Sequence, residues 1–183
     1  LSFIVKSGRA VIYPVYKGTF ERITESTVAA SNADVDSHQF AELWIQQLKD
    51  LKRSIDFLEE RPEIDRRKIA FEGMSWGGDV GLAFPAVDDR LKASILIAGA
   101  LNGLGRPEVR DVNFVGRVKV PTLMLNGRYD RADTIIKPAF DLLGTPPADK
   151  KLVLYDTDHI PPINETIKET LAWLDKYLGP VKR

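Results

Sequence analysis

Short apolar runs alternate along the chain with longer amphipathic ones. The apolar runs Ala10 to Tyr16, Lys68 to Met74, Lys92 to Ala98, Val120 to Asn126 and Lys151 to Tyr155 each end in turn residues or glycine, which predicts five strands. Between the first two, Phe40, Trp44, Leu48, Leu51, Ile55 and Leu58 recur at steps of three and four, the signature of a helix with one buried face. Ile163, Ile167, Leu171, Leu174 and Leu178 repeat that pattern up to Gly179-Pro180, a helix-ending pair. Strands that alternate with helices predict an α/β fold, a mainly parallel sheet with crossover helices on both faces, in a single domain over residues 1–183. The loop-rich stretch 99–119 leaves room for a small lid.

Composition narrows the function. Lys plus Arg and Asp plus Glu both total 26, so no global charge draws the chain to nucleic acid or an anionic membrane, and a small substrate without high charge fits better. The absence of cysteine removes disulfides, thiolate zinc sites and cysteine nucleophiles, and leaves hydroxyl nucleophiles. No apolar run is long enough for a membrane span, and a chain that starts at Leu1 says nothing about its compartment.

Gly73-Met74-Ser75-Trp76-Gly77 is a Gly-x-Ser-x-Gly pentapeptide, which chance supplies in roughly 4 of 100 chains of this glycine and serine content. Its setting adds weight, because Lys68 to Glu72 reads as a strand leading into it and Gly77 to Ala83 as the start of a helix. Such a turn places the serine in a strained conformation, and side chains at Gly73 or Gly77 are expected to collide with neighbouring backbone. Ser75 is thus the candidate nucleophile, and the N–H of Trp76, at the positive end of the helix, is the candidate oxyanion donor.

A serine hydroxyl needs a base. Of the two histidines, His38 precedes Ser75 beside the start of the long helix, whereas His159 follows the last strand, on a loop stiffened by Pro161 and Pro162. His159 is the candidate base. For the acid, Asp130 stands at the strand-to-loop junction after Asn126-Gly127-Arg128-Tyr129, with Asp133, Asp156 and Asp158 as competitors. Tyr16 and Phe20 follow the first strand and could line an acyl pocket or simply pack. Gly99, Gly103 and Gly105 fit no phosphate-binding spacing, and Asp34 with Asp36, or Asp156 with Asp158 and His159, fit no metal-ligand spacing, so no cofactor and no metal is expected.

With Ser75, Asp130 and His159 in that order, the chain resembles the α/β-hydrolase family. Arg61 to Ala70 before the serine turn, and Asn126 to Asp130, are similar to the branch that contains prolyl oligopeptidases, acyl aminopeptidases and dienelactone-hydrolase-like esterases, and to hydrolase domains that some bacteria carry behind a protein kinase domain. The resemblance implies an α/β-hydrolase fold and cleavage of a carboxylic ester or related acyl compound through an acyl-enzyme. A serine peptidase of the prolyl oligopeptidase type and a noncatalytic binding module on the same fold are the alternatives. It also places Leu1 to Gly8 at the family's first helix after its third strand. The first three strands, and the loop that carries the second oxyanion donor, would then come from an N-terminal segment or a second chain.

Overall fold

A computed structural model describes residues 1–181. The helices α1 (Ser2–Lys6), α2 (Glu25–Ser31) and α3 (His38–Glu59) precede the strand β1 (Ile69–Met74). There follow α4 (Trp76–Val80), β2 (Leu91–Ile97), β3 (Thr122–Gly127), α5 (Lys137–Leu142), β4 (Lys150–Tyr155) and α6 (Ile163–Leu178). The sheet has four strands in the order β1-β2-β3-β4. Every pairing is parallel, so all four strands deliver the chain to the same edge.

Four of the five expected strands form within a residue or two of their predicted limits. The exception is Ala10 to Tyr16. It belongs to no sheet, and β1 pairs only with β2. An apolar run becomes a strand only when a neighbour takes up its N–H and C=O groups, and no strand stands beside β1 on its outer side among the described residues.

The sheet is covered on both faces, as parallel sheets are. Ala41, Trp44, Leu51 and Ile55 of α3 pack with Phe71, Leu96 and Met124 in one cluster. Trp173, Leu174 and Leu178 of α6 pack with Ala93, Ile95, Ile97, Leu123 and Leu125 in the other. The indole of Trp44 meets the ring of Phe84 edge-on at 5.6 Å, and Phe84 meets Phe71 at 5.8 Å, a chain of aromatic contacts from α3 to β1. At the far end of α3, the Arg90 guanidinium donates to Asp56 at 2.6 Å, Glu59 at 2.9 Å and Asp88 at 2.6 Å, which ties the helix to the entry of β2. The Ser37 hydroxyl accepts the Phe40 N–H at 3.2 Å and starts α3, and Gly179 ends α6 at φ 81°.

The turn after β1 is set by close backbone approach. A Cβ on Gly73 would lie 2.2 Å from the Gly77 carbonyl oxygen, as the sequence leads one to expect. Gly77 departs from expectation, since a Cβ there meets nothing within 4 Å. The crowded partner is Gly78, where a Cβ would lie 2.7 Å from the Cα of Gly99, the residue that leaves β2. The collision falls one residue later because the first turn of α4 leans on the exit of β2. Gly78→Ala is therefore expected to lower the urea unfolding midpoint by the equivalent of about 2 kcal/mol or more. Gly77→Ala should leave it unchanged or raise it by up to about 1 kcal/mol through helix propensity.

Candidate active site

β1 ends at Met74, and Ser75 takes φ 54° and ψ −117°, a conformation that side-chain-bearing residues avoid. Two backbone bonds hold it there: the Ser75 N–H donates to the Ile97 carbonyl of β2 at 2.8 Å, and the Ser75 carbonyl accepts the Asp79 N–H at 2.9 Å. The hydroxyl stands beyond the sheet edge, and α4 starts with the next residue, Trp76. The first N–H groups of a helix have no partner within it, so that of Trp76 is free to serve an oxygen held by Ser75.

The acid and the imidazole come from adjacent strands whose loops are laced together. After β3, the Arg128 N–H donates to the Tyr155 carbonyl at 2.7 Å and the Tyr129 N–H to that of Thr157 at 3.1 Å. Gly127 lies so close to the His159 loop that a Cβ there would fall 1.5 Å from the Asp158 carbonyl oxygen. This contact leaves Asp130 facing His159. His159 Nδ1 lies 2.5 Å from Asp130 Oδ2, and His159 Nε2 lies 2.8 Å from Ser75 Oγ. The Asp130 side chain is 19% exposed and that of His159 46%, so the chain of three groups runs from a sheltered carboxylate out to an open edge.

The competing residues lie elsewhere. Asp133 pairs with Lys137, and Asp156 accepts from Arg128 at 2.7 Å. Asp158 is exposed, and His38 is an exposed side chain 3.9 Å from Glu42. Tyr16 packs against the α3 cluster, where burial and the nearby Asp50 push its hydroxyl up to about 12. Phe20 is exposed, with its ring edge-on to Tyr13 at 6.4 Å. Neither Tyr16 nor Phe20 lines the pocket beside the serine turn.

That pocket has aromatic walls from Phe40, Trp44 and Trp76 and aliphatic ones from Val80, Leu104 and Val109. Asp79, Asn102 and Asp111 add polar groups. The sequence reading missed all three; for Asp79 the available signal was its place one helical turn after Ser75. Asp79 Oδ1 accepts the Ala100 N–H at 2.8 Å. Burial pushes the Asp79 carboxyl up to about 6, against the lowering effect of the Ala100 N–H and Asn102, with Asp111 adding repulsion. Asp111 is buried and holds the loop over the pocket by accepting the N–H groups of Asn102 at 2.7 Å, Gly103 at 3.3 Å and Val112 at 2.7 Å. Within 99–119, Ala100, Val109, Val115 and Val118 are core residues, and the exposed residues are Gly103, Leu104, Arg106 to Glu108, Val112, Asn113, Gly116, Arg117 and Lys119.

Comparison with known proteins agrees with this architecture. Residues 3–141, which include Ser75 and Asp130, match the model of the dienelactone hydrolase family. The polyketide transferase grgF of Penicillium sp is 35% identical over 65 residues, which are 36% of this chain and 22% of that protein. An acetyl xylan esterase from Paenibacillus sp. R4 superposes with a TM-score of 0.63 at 23% identity, covering 74% of this chain and 54% of its own. A cold-adapted esterase from an Arctic intertidal metagenomic library, in its polyethylene-glycol-bound form, gives 0.65 at 24% identity, covering 89% and 67%. The chain thus spans about a fifth of the curated relative it matches and about half of that acetyl xylan esterase. Of the relatives that its motifs suggested, the family match is to the dienelactone hydrolases. On its sheet, its serine turn and this match, the chain has the α/β-hydrolase fold and belongs to the dienelactone hydrolase family.

Proposed function

We propose that the protein hydrolyses carboxylic esters or related acyl compounds through a Ser-His-Asp triad and an acyl-enzyme. The observation that carries this reading is the single imidazole that links Ser75 Oγ at 2.8 Å to Asp130 Oδ2 at 2.5 Å. With its proton on Nδ1, His159 donates to Asp130, and Nε2 accepts from the Ser75 hydroxyl. Attack by Ser75 Oγ on the ester carbon sends the hydroxyl proton to Nε2, and collapse of the tetrahedral adduct passes it to the departing alkoxide. Water then enters by the same route in reverse roles and releases the acid. The Trp76 N–H, at the start of α4, stabilises the negative oxygen in both steps.

The outer edge of β1 supports a second element of the proposal, a strand-forming segment from an N-terminal extension or another chain. The strand that carries the nucleophile is paired on one side only, Ala10 to Tyr16 belongs to no sheet, and the Glu72 side chain has a buried oxygen, Oε2, without a hydrogen-bond partner. A parallel strand on this edge would take up the unpaired backbone groups of β1 and bring a loop able to supply a second oxyanion donor.

A fluorophosphonate probe is expected to label Ser75. Ser75→Ala should abolish labelling and His159→Ala should reduce it strongly, and an unlabelled but folded parent protein would leave only a binding role. Asp130→Asn should lower kcat on a p-nitrophenyl ester by about three to four orders of magnitude, while Asp133→Asn stays within about twofold of the parent. Denaturing gels and mass spectrometry of active material should reveal a longer chain or a second polypeptide. Full activity from residues 1–183 alone would overturn the completing segment.

A further inference from the structure

The peptide between Gly99 and Ala100 is held at both ends by side chains from two different elements. Its carbonyl oxygen accepts from Asn126 Nδ2, on β3, at 2.9 Å, and its N–H donates to Asp79 Oδ1, on α4, at 2.8 Å. Asn126 is fully buried, and its own Oδ1 has no hydrogen-bond partner among the described residues.

This peptide stands where the serine turn needs outside support. α4 is only five residues long, and two of them are Gly77 and Gly78, so the helix is too short and too rich in glycine to hold its own direction. An oxyanion donor at its first residue acts only if it is aimed in advance at the place where charge develops. Two contacts fix that first turn. Gly99 lies so close that a Cβ on Gly78 would fall 2.7 Å from its Cα. Asp79 donates its own N–H to the Ser75 carbonyl at 2.9 Å while its carboxylate takes the Ala100 N–H, and so bridges the serine to the clamped peptide.

Stability alone does not account for this arrangement. Ala98, the residue before the clamped peptide, takes a strained φ of 52°. Asn126 leaves a buried acceptor unpaired, and Asp79 is a desolvated carboxylate. Each of these lowers stability relative to relaxed backbone and apolar side chains. What they secure together is one orientation for the exit of β2, on which α4 rests.

Resting on the serine-hydrolase reading above, we infer that Asp79 and Asn126 are positioning residues: they clamp the Gly99–Ala100 peptide from its two ends and thereby hold the first turn of α4, with the Trp76 N–H, in line with the oxygen it stabilises.

The test uses the protein in the form that reacts with the fluorophosphonate probe, and reads kcat and KM on p-nitrophenyl acetate beside the urea unfolding midpoint. Asp79→Ala removes the acceptor. Its kcat should fall about ten- to a hundredfold, part of what the loss of an oxyanion donor costs, with KM within about threefold of the parent. Asp79→Asn keeps an oxygen for the Ala100 N–H and should restore kcat to within about fivefold of the parent. Asn126→Ala frees the other end of the same peptide and should lower kcat over the same range. The double variant should lie no more than about threefold below the weaker single one, because both changes act on one unit. A folded Asp79→Ala whose midpoint drops while kcat stays within about twofold of the parent overturns the inference and leaves the hydrolase reading intact. An Asp79→Asn no better than Asp79→Ala does the same. Should Asp79→Ala not fold, Asn126→Ala decides by the same measure. A parent protein that never labels removes the hydrolase reading and this inference together.

Discussion

Everything at this site depends on the strands running parallel. Four parallel strands bring their carboxyl ends to one edge, so residues far apart in the chain, following β1, β3 and β4, emerge side by side. Reversing one strand would send its loop to the opposite edge. The two apolar layers matter to function mainly because they hold this alignment: α3 locks β1 and β2 from one face, and α6 locks β2 and β3 from the other.

β2 contributes no residue to the hydrogen-bonded chain of Ser75, His159 and Asp130, yet it governs the geometry. Its Ile97 carbonyl holds the Ser75 N–H, and its exit at Gly99 presses against Gly78. Ala98 itself takes a positive φ of 52°, so the chain is strained on both sides of this contact. The arrangement is a compromise in which strained backbone at Ser75 and Ala98 is offset by the hydrogen bonds and packing of the sheet beneath.

Much of this was legible in the sequence because the signals were local. Apolar runs closed by glycine or turn residues mark β1 to β4, the three-four periodicity marks α3 and α6, and chain order together with strand-end placement singled out Ser75, Asp130 and His159. What escaped was relational. Ala10 to Tyr16 has the composition of a strand, but strandness lies in the pairing rather than in the residues. Gly77 and Gly78 are indistinguishable by pattern, and only the position of Gly99, some twenty residues on, tells which one lacks space. The pocket is assembled from three separate segments, around residues 40–44, 76–80 and 102–111, so no window of sequence contains it. α2, only seven residues long, was missed although Thr24 and Thr27 form a capping box at its start.

The backbone contact between Gly127 and Asp158 divides the site into two mechanical parts. Asp130 and His159 belong to one body, formed by β3, β4 and their interlocked loops, whereas Ser75 rides on β1. The 2.8 Å link from the imidazole to the serine crosses the boundary between these bodies, and the link from the imidazole to the carboxylate does not. Any slow shearing of the sheet, by heat or by a cut in the exposed part of 99–119, would then stretch the first link and spare the second. The molecule would fail by separation of intact parts, with its imidazole still correctly aimed at a place the hydroxyl had left.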